Sequence, residues 1–287
     1  MRKNYGKLYT APVLLWLTVF FVIPGLIIVV FSFLKKGLYG GVVWKFSMEA
    51  YRALFQPAFL KVVLVTVYIS VVSTFLTLLL SIPVAYFIAR SKAKNILLLL
   101  IIIPFWTNFL IRIFAWIAIL GNNGFLNHFF ISIGLFPDYI QLLYNQYAVI
   151  LVTVYTNLPY AILPLYVNVE KFDFSLLEAA RDLGATKSQA IFRIFLPNIK
   201  VGIITAIIFT FIPALGSYAI PQLVGGADSY MVGNIIAREL TINRNWPLAS
   251  SMSVILTLVT TVAILFFVNM KPGRTMTRTA VQAKAKV

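Results

Sequence analysis

The chain has 287 residues, 61% of them hydrophobic and only 11% charged, with 24 Lys and Arg against eight Asp and Glu for a net charge of +16. Its mean hydropathy is +0.92, whereas a soluble domain carries roughly a quarter of its residues as charges, so the solvent of this fold is largely lipid. Cysteine is absent and His128 is the single histidine, which excludes disulfides, thiolate chemistry and imidazole-based metal sites; the basic residues flank apolar runs rather than forming a patch, which excludes nucleic acid as a partner.

From the N-terminus, Arg2, Lys3 and Lys7 introduce an uncharged stretch over 8–34. It is too long for a signal peptide and no small-residue cleavage site follows, so it predicts an uncleaved first span. Further stretches without Asp, Glu, Lys or Arg run 62–89, 95–111, 113–137, 139–169, 201–227 and 245–270. About 20 apolar helical residues cross a bilayer. The run at 95–111 is short alone but continues past Arg112 as IFAWIAIL. The pattern predicts an all-α polytopic membrane protein with six spans, near 9–33, 62–89, 95–120, 146–168, 199–219 and 248–269. These form one domain over 1–287, with a basic tail at 271–287. The leftover GFLNHFFISIGLF at 124–136, bounded by GNNG and Pro137, is too short to cross and predicts a short interfacial or re-entrant helix, with His128 on its polar face.

An even number of spans puts both termini on one side. That side carries 16 of the Lys and Arg residues and the other carries seven, which predicts cytoplasmic termini, although Lys35 and Lys36 dissent locally. The loop at 170–198 is then cytoplasmic, and it holds Glu170, Asp173, Glu178 and Asp182, half of all the carboxylates. Ser175-x-x-Glu178 and Thr186-x-x-Gln189 have capping-box spacing, and Gly184 between them suits a left-handed helix end. Two short helices are predicted, 176–183 and 187–195, with Pro197 opening the fifth span. Small Ala179 and Ala180 beside Glu178 leave a shallow surface that a soluble partner's groove can approach.

Within the spans, Trp106, Tyr155, Tyr160, Tyr166 and Tyr218 offer ring faces to a cation, or anchor the interfaces. Asn108 and Asn157 are polar groups in apolar runs, placed either for a pathway or for interhelical hydrogen bonds. Asn157-Leu158-Pro159 and Pro164 predict breaks in the fourth span, and Pro213 with Gly216 in the fifth, which would free carbonyls toward a cavity. Arg112 reads as a structural residue able to snorkel from near the outer end of its span. No phosphate-cradling G-x-x-x-x-G-K-[ST] occurs, and no span holds paired carboxylates or a Ser/His pair, so the chain neither hydrolyses a nucleotide itself nor acts as an intramembrane enzyme.

Glu178-Ala179-Ala180, Gly184 after three residues, and Ile194-x-Leu196-Pro197 after nine more resemble the EAA motif of permease subunits in bacterial ABC importers. The stretches PFWTNFLIRIFAW at 104–116, GNNGFLNHF at 121–129, GGADSYMVGN at 225–234 and NRNWPLAS at 243–250 extend the likeness, over most of the chain, to spermidine/putrescine permease subunits of the PotB/PotH type. The resemblance implies a type I importer (MetI-like) permease fold in the bacterial plasma membrane and alternating access. It implies that Glu178, Ala179, Ala180, Asp182, Gly184, Ile194, Leu196 and Pro197 couple the spans to an ATPase. The partners implied are two ATPase copies, a second related permease and an extracellular or periplasmic substrate-binding protein. ATP and Mg belong to the ATPase, leaving this chain no cofactor, no metal and no catalytic residue. The polyamine pathway implied runs past Trp106, Asn108, Tyr155, Asn157, Tyr160, Ser217, Tyr218 and Asp228.

Many relatives of this type carry acidic residues where this chain has Ser217 and Gln222, and no carboxylate lies within the predicted spans. The negative charge for a polycation then comes from Asp228 and Glu239 in the outer loop, the second permease or the binding protein. Two alternatives stand: an importer permease for another small solute such as a phosphonate, iron or an opine, and an ion-coupled carrier or channel. The latter requires charged pairs inside the spans, which are missing.

Overall fold

The computed structural model describes residues 5–269, and the basic tail expected at 271–287 lies outside the described residues. The described residues are mostly helical, the strands among them being one antiparallel hairpin of Leu34–Lys36 with Val42–Phe46. Among the described residues, five helical stretches (Thr10–Ser32, Pro57–Arg90, Phe109–Ser132, Gln146–Glu170 and Trp246–Leu265) are long and apolar enough to cross a membrane, or six when the bent pair Lys187–Asn198 and Lys200–Leu215 is counted as one span. The contacts divide the chain into two compact units, Met1–Thr66 with Tyr230–Thr261, and Val67–Ser229 with Val262–Val287.

In the first unit an apolar helical segment runs through Tyr5–Leu17, a wider π turn at Thr18–Val22, and Ile23–Ser32. It stops where Ser32 Oγ meets Tyr51 Oη at 2.9 Å. The hairpin follows, and Gly40 (φ 96°) packs against Arg244, whose carbonyl accepts from Gly41 N at 2.8 Å. Val232 N, opening the Val232–Thr241 helix, donates to buried Thr66 Oγ1 at 2.9 Å.

The second unit is built around the helix Gln146–Glu170, which Asn145 caps by accepting from Ala148 N at 2.9 Å. Contrary to the expected breaks, this helix runs unbroken through Pro159 and Pro164. Membrane helices tolerate such prolines because neighbouring helices and local adjustments satisfy the freed backbone groups. Likewise Lys200–Leu215 passes through Pro213 and ends only at Gly216.

The breaks fall elsewhere. The segment expected as one span at 95–120 comprises Lys94–Ile102, a 3-10 turn at Ile103–Trp106, an extended Thr107, and a new helix Phe109–Leu120. Pro104 sits in the tight turn, and Asn108 restarts the helix by accepting from Leu110 N at 2.8 Å. In the fifth span, Ile199 joins helical segments that meet at 70°. The short helix expected within 124–136 is Phe125–Ser132. It is pinned by fully buried Asn127, which bonds Gly121 O at 3.1 Å and both backbone groups of Ile140 at 3.0 and 3.1 Å.

Lys200–Leu215 makes its main contact on Gln146–Glu170. The approach is close because residue 202 is glycine: a Cβ there would lie 2.8 Å from Asn168 Cβ. Backbones that near each other depend on small residues. Gly202→Leu is therefore expected to separate the two helices, at a cost of about 2 kcal/mol. A lowered thermal midpoint in detergent checks this, with Gly216→Ala as the mild control because its added Cβ meets only Ile212 O at 3.9 Å.

Candidate functional site

The polar loop is two helices and a turn, Ser175–Asp182 and Lys187–Ala190, with Gly184 at φ 89° between them. Thr186 and Gln189 form the expected capping box, through bonds of 2.9 and 3.2 Å. The box expected at Ser175 and Glu178 does not form. Phe174 is the cap residue, and Asp173 takes over by accepting from Ser175 N at 3.0 Å, the two-residue reach that aspartate makes readily. Hydrogen bonds from the Ser175 side chain and backbone hold the Asp173 carboxyl below its ordinary range. Beyond Ala190 the second helix widens into a π turn, Ile191–Phe195.

The loop is two-faced. Leu177 and Ala180 turn inward and join Ala85, Ile88, Leu165, Val169 and Phe195 in one buried cluster, against which Ile194 and Leu196 pack. Glu178, Ala179, Asp182 and Pro197 face outward. Leu183, not singled out from the sequence, is 90% exposed beside Gly184. Its signal was available: an apolar residue at the point where a left-handed glycine turns the chain outward. Open hollows flank Glu178 on both sides. One, of about 500 Å³, also involves Arg181, Asp182 and Gly184; the other, of about 350 Å³, adds Tyr86, Arg90, Phe174 and Lys187.

Beside the loop, Lys94 Nζ donates to Glu170 Oε1 at 2.6 Å. That bond lowers the Glu170 pKa and raises that of Lys94. The stabilisation is therefore complete above the ordinary Glu value and fades as pH falls through the depressed one; at the alkaline end it is lost only as pH rises through the raised Lys94 value. A Glu170→Gln variant is expected to show a small, salt-sensitive drop in thermal midpoint near neutrality, and the gap to wild type should close as pH falls below about 4.

A second feature lies deeper, in the same unit. A cavity of about 450 Å³ is lined by Arg112, Thr153, Thr156, Asn157 and Tyr160, by Phe109 and Phe209, and by Pro213, Ala214 and 216–220, where the Lys200–Leu215 helix gives way to Ala219–Val224. Four residues predicted for the pathway, Asn157, Tyr160, Ser217 and Tyr218, come together here. Four do not. Trp106 is exposed on the 3-10 turn, Asn108 caps its helix, Tyr155 lies edge-on to Trp116, and Asp228 receives Gln146 Nε2 on its backbone carbonyl. Asn157 Nδ2 also donates to Thr210 O at 3.4 Å, so it serves helix packing and cavity wall together. No lining residue is acidic. Arg112, half-buried, is the charged one, and its Nε is buried without a hydrogen-bond partner. The sequence reading passed over Thr153 and Thr156, hydroxyls at helical spacing inside an apolar run.

The family model for the inner membrane component of binding-protein-dependent transport systems matches residues 77–274, both sites included. The chain belongs to this family. Over 280 residues, 97% of each chain, the permease is 38% identical to the spermidine/putrescine transport system permease protein PotB of Haemophilus influenzae. It is 37% identical to PotB of Escherichia coli K12 over 254 residues, 88% of this chain and 92% of that one. Among solved structures, a bacterial ABC transporter that imports the acidic polysaccharide alginate matches with TM-score 0.68 at 20% identity, covering 93% of this chain and 96% of that one. A second structure of a bacterial alginate ABC transporter, in complex with an alginate pentasaccharide-bound periplasmic protein, matches equally well. At that identity the likeness is one of fold. The chain is thus a multi-pass, non-catalytic membrane subunit of an inner-membrane ABC import system with the MetI-like permease fold.

Proposed function

We propose that the permease carries polyamines of the spermidine/putrescine class inward by alternating access, with both termini and the 170–198 loop in the cytoplasm. The identity to PotB across 97% of both chains carries this reading. On it, the outward face of the loop, with Glu178, Ala179, Asp182 and Leu183, seats in a cleft of the ATPase. Two ATPase copies, a second permease and a periplasmic binding protein complete the machine. The aromatic walls of the cavity, Tyr160, Phe209 and Tyr218, support a cationic cargo, since a desolvated cation over such a ring gains about 2 kcal/mol. ATP closes the ATPases around the loops, the spans open toward the binding protein, and hydrolysis resets them.

One observation favours another cargo: the charge lining the cavity is that of Arg112, with no carboxylate near it. Uptake of labelled spermidine in cells with and without this chain separates the two readings, with excess putrescine and a phosphonate as competitors. Uptake lost on deletion and competed only by putrescine fits a polyamine importer. Unchanged spermidine uptake would overturn the substrate assignment and leave the permease fold standing.

A further inference from the structure

Arg112 is an unusual residue to find on the wall of a cation pathway. Its guanidinium carbon lies over two ring faces, 5.4 Å from the Phe105 centroid and 5.9 Å from that of Phe109. Phe105 in turn meets Tyr160 edge-on at 4.8 Å, and Tyr160 and Phe109 both line the cavity. Two rings at one wall of the cavity, Phe109 lining it and Phe105 behind Tyr160, thus already hold a cation, and it is covalently attached. Nothing neutralises it: the ion pairs among the described residues join Lys35 to Glu49 and Lys94 to Glu170. Its Nε is buried without a hydrogen-bond acceptor, and Thr153 Oγ1 on the same wall is equally unpartnered. Retaining such a group among apolar helices is costly, and cation–π contact on two faces offsets only part of that cost.

We infer that Arg112 is an electrostatic barrier: in this conformation its charge, held over Phe105 and Phe109 at the cavity wall, excludes both cargo and small cations from the path. The polyamine aspect of this inference rests on the proposed function; the exclusion of small cations does not. An importer of organic cations meets a specific hazard. A membrane potential negative inside drives potassium, sodium and protons along any route that accepts a polyamine. Size alone cannot exclude them, because they are smaller than the cargo. A fixed positive charge in a low-dielectric constriction can, since repulsion between like charges there is several times that in water, and pores that reject protons and cations use an arginine in this way. The cargo passes only when another conformation withdraws Arg112 from Phe105 and Phe109 and frees those rings. Specificity is thereby tied to the transport cycle instead of resting on a standing acidic site, which accords with a cavity lining free of carboxylates.

The test uses proteoliposomes holding the full-length chain with its co-purified partner subunits, a potassium gradient and no ATP. Potassium flux is followed by a voltage-sensitive dye. The wild type is expected to be tight. Arg112→Met, and Arg112→Gln should the former insert poorly, is expected to raise passive potassium flux by about tenfold or more, and Arg112→Lys to stay as tight as wild type. Tight vesicles with both neutral variants would overturn the barrier. So would a lysine variant as leaky as methionine, which would mean that shape rather than charge closes the path. Spermidine uptake driven by ATP is measured in the same wild-type vesicles: its absence would sink the polyamine assignment while the potassium result still decides the role of Arg112.

Discussion

Glu178→Arg is expected to leave the permease folded and abundant in the membrane while reducing uptake by about a hundredfold. Glu178 stands on the exposed face of the Ser175–Asp182 helix, between two open hollows already ringed by Arg90, Arg181 and Lys187. The fold gains little from it, because the cap it was expected to make is made by Asp173. Reversing its charge therefore spares the buried side, where Leu177 and Ala180 do the packing. What changes is the surface offered to the proposed ATPase partner. Placing a like charge across a fitted interface costs several kcal/mol, and about 3 kcal/mol corresponds to the hundredfold loss. Glu178→Gln, which removes charge without adding repulsion, should fall between. Uptake is compared with membrane abundance by immunoblot. Normal uptake by the Arg variant at normal abundance would overturn the docking role, and loss of the protein itself would show that Glu178 serves the fold. Leu183→Ser offers an independent reading of the same interface: a side chain 90% exposed contributes nothing to the core, so any loss of uptake there must arise in the bound state.

How much of this was legible in the residues follows the physics of each element. The spans could be read because lipid demands uninterrupted apolar length, a one-dimensional property of sequence. The loop could be read because Gly184 and the Thr186–Gln189 box are local chemistry, fixed within four residues. The prolines misled. Pro159, Pro164 and Pro213 remove local hydrogen bonds, which sequence reports, but whether the helix yields depends on its neighbours, which sequence does not report. The cavity was half legible. Asn157, Tyr160, Ser217 and Tyr218 stood out as polar or aromatic groups in apolar runs. Thr153 and Thr156 did not, because a membrane threonine usually satisfies itself on the preceding turn, as Thr156 does with Val152 O at 2.9 Å. Asn127, deeply buried with three bonds across a loop, carried no sequence signal apart from its polarity.

Phe195→Ala is expected to uncouple the machine rather than dismantle it. Phe195 is 2% exposed, in the π turn that leads from the loop toward the fifth span. Its ring meets Tyr86 edge-on at 5.2 Å and Phe172 at 5.3 Å, and Phe174 closes the group against Tyr86 at 5.6 Å and Phe172 at 5.3 Å. Arg90 covers it, 5.3 Å over the Phe174 ring and hydrogen-bonded to Tyr86 Oη at 2.9 Å. Tyr86 and Arg90 belong to the long helix Pro57–Arg90, whereas Phe172, Phe174 and Phe195 belong to the loop. Four rings in edge-to-face contact are thus the seam between the segment proposed to meet the ATPase and a helix long enough to cross the membrane. Close packing transmits displacement because it has no slack to absorb it. Removing the central ring should cost about 3 kcal/mol locally, which the surrounding cluster of Ala85, Ile88, Leu177 and Ala190 can survive. ATP hydrolysis by the assembled complex is then expected to persist while uptake falls by about tenfold or more, with Phe195→Leu recovering part of it. Uptake and hydrolysis falling together with abundance would assign Phe195 to folding alone, and undiminished uptake would show that the loop moves the spans by another route.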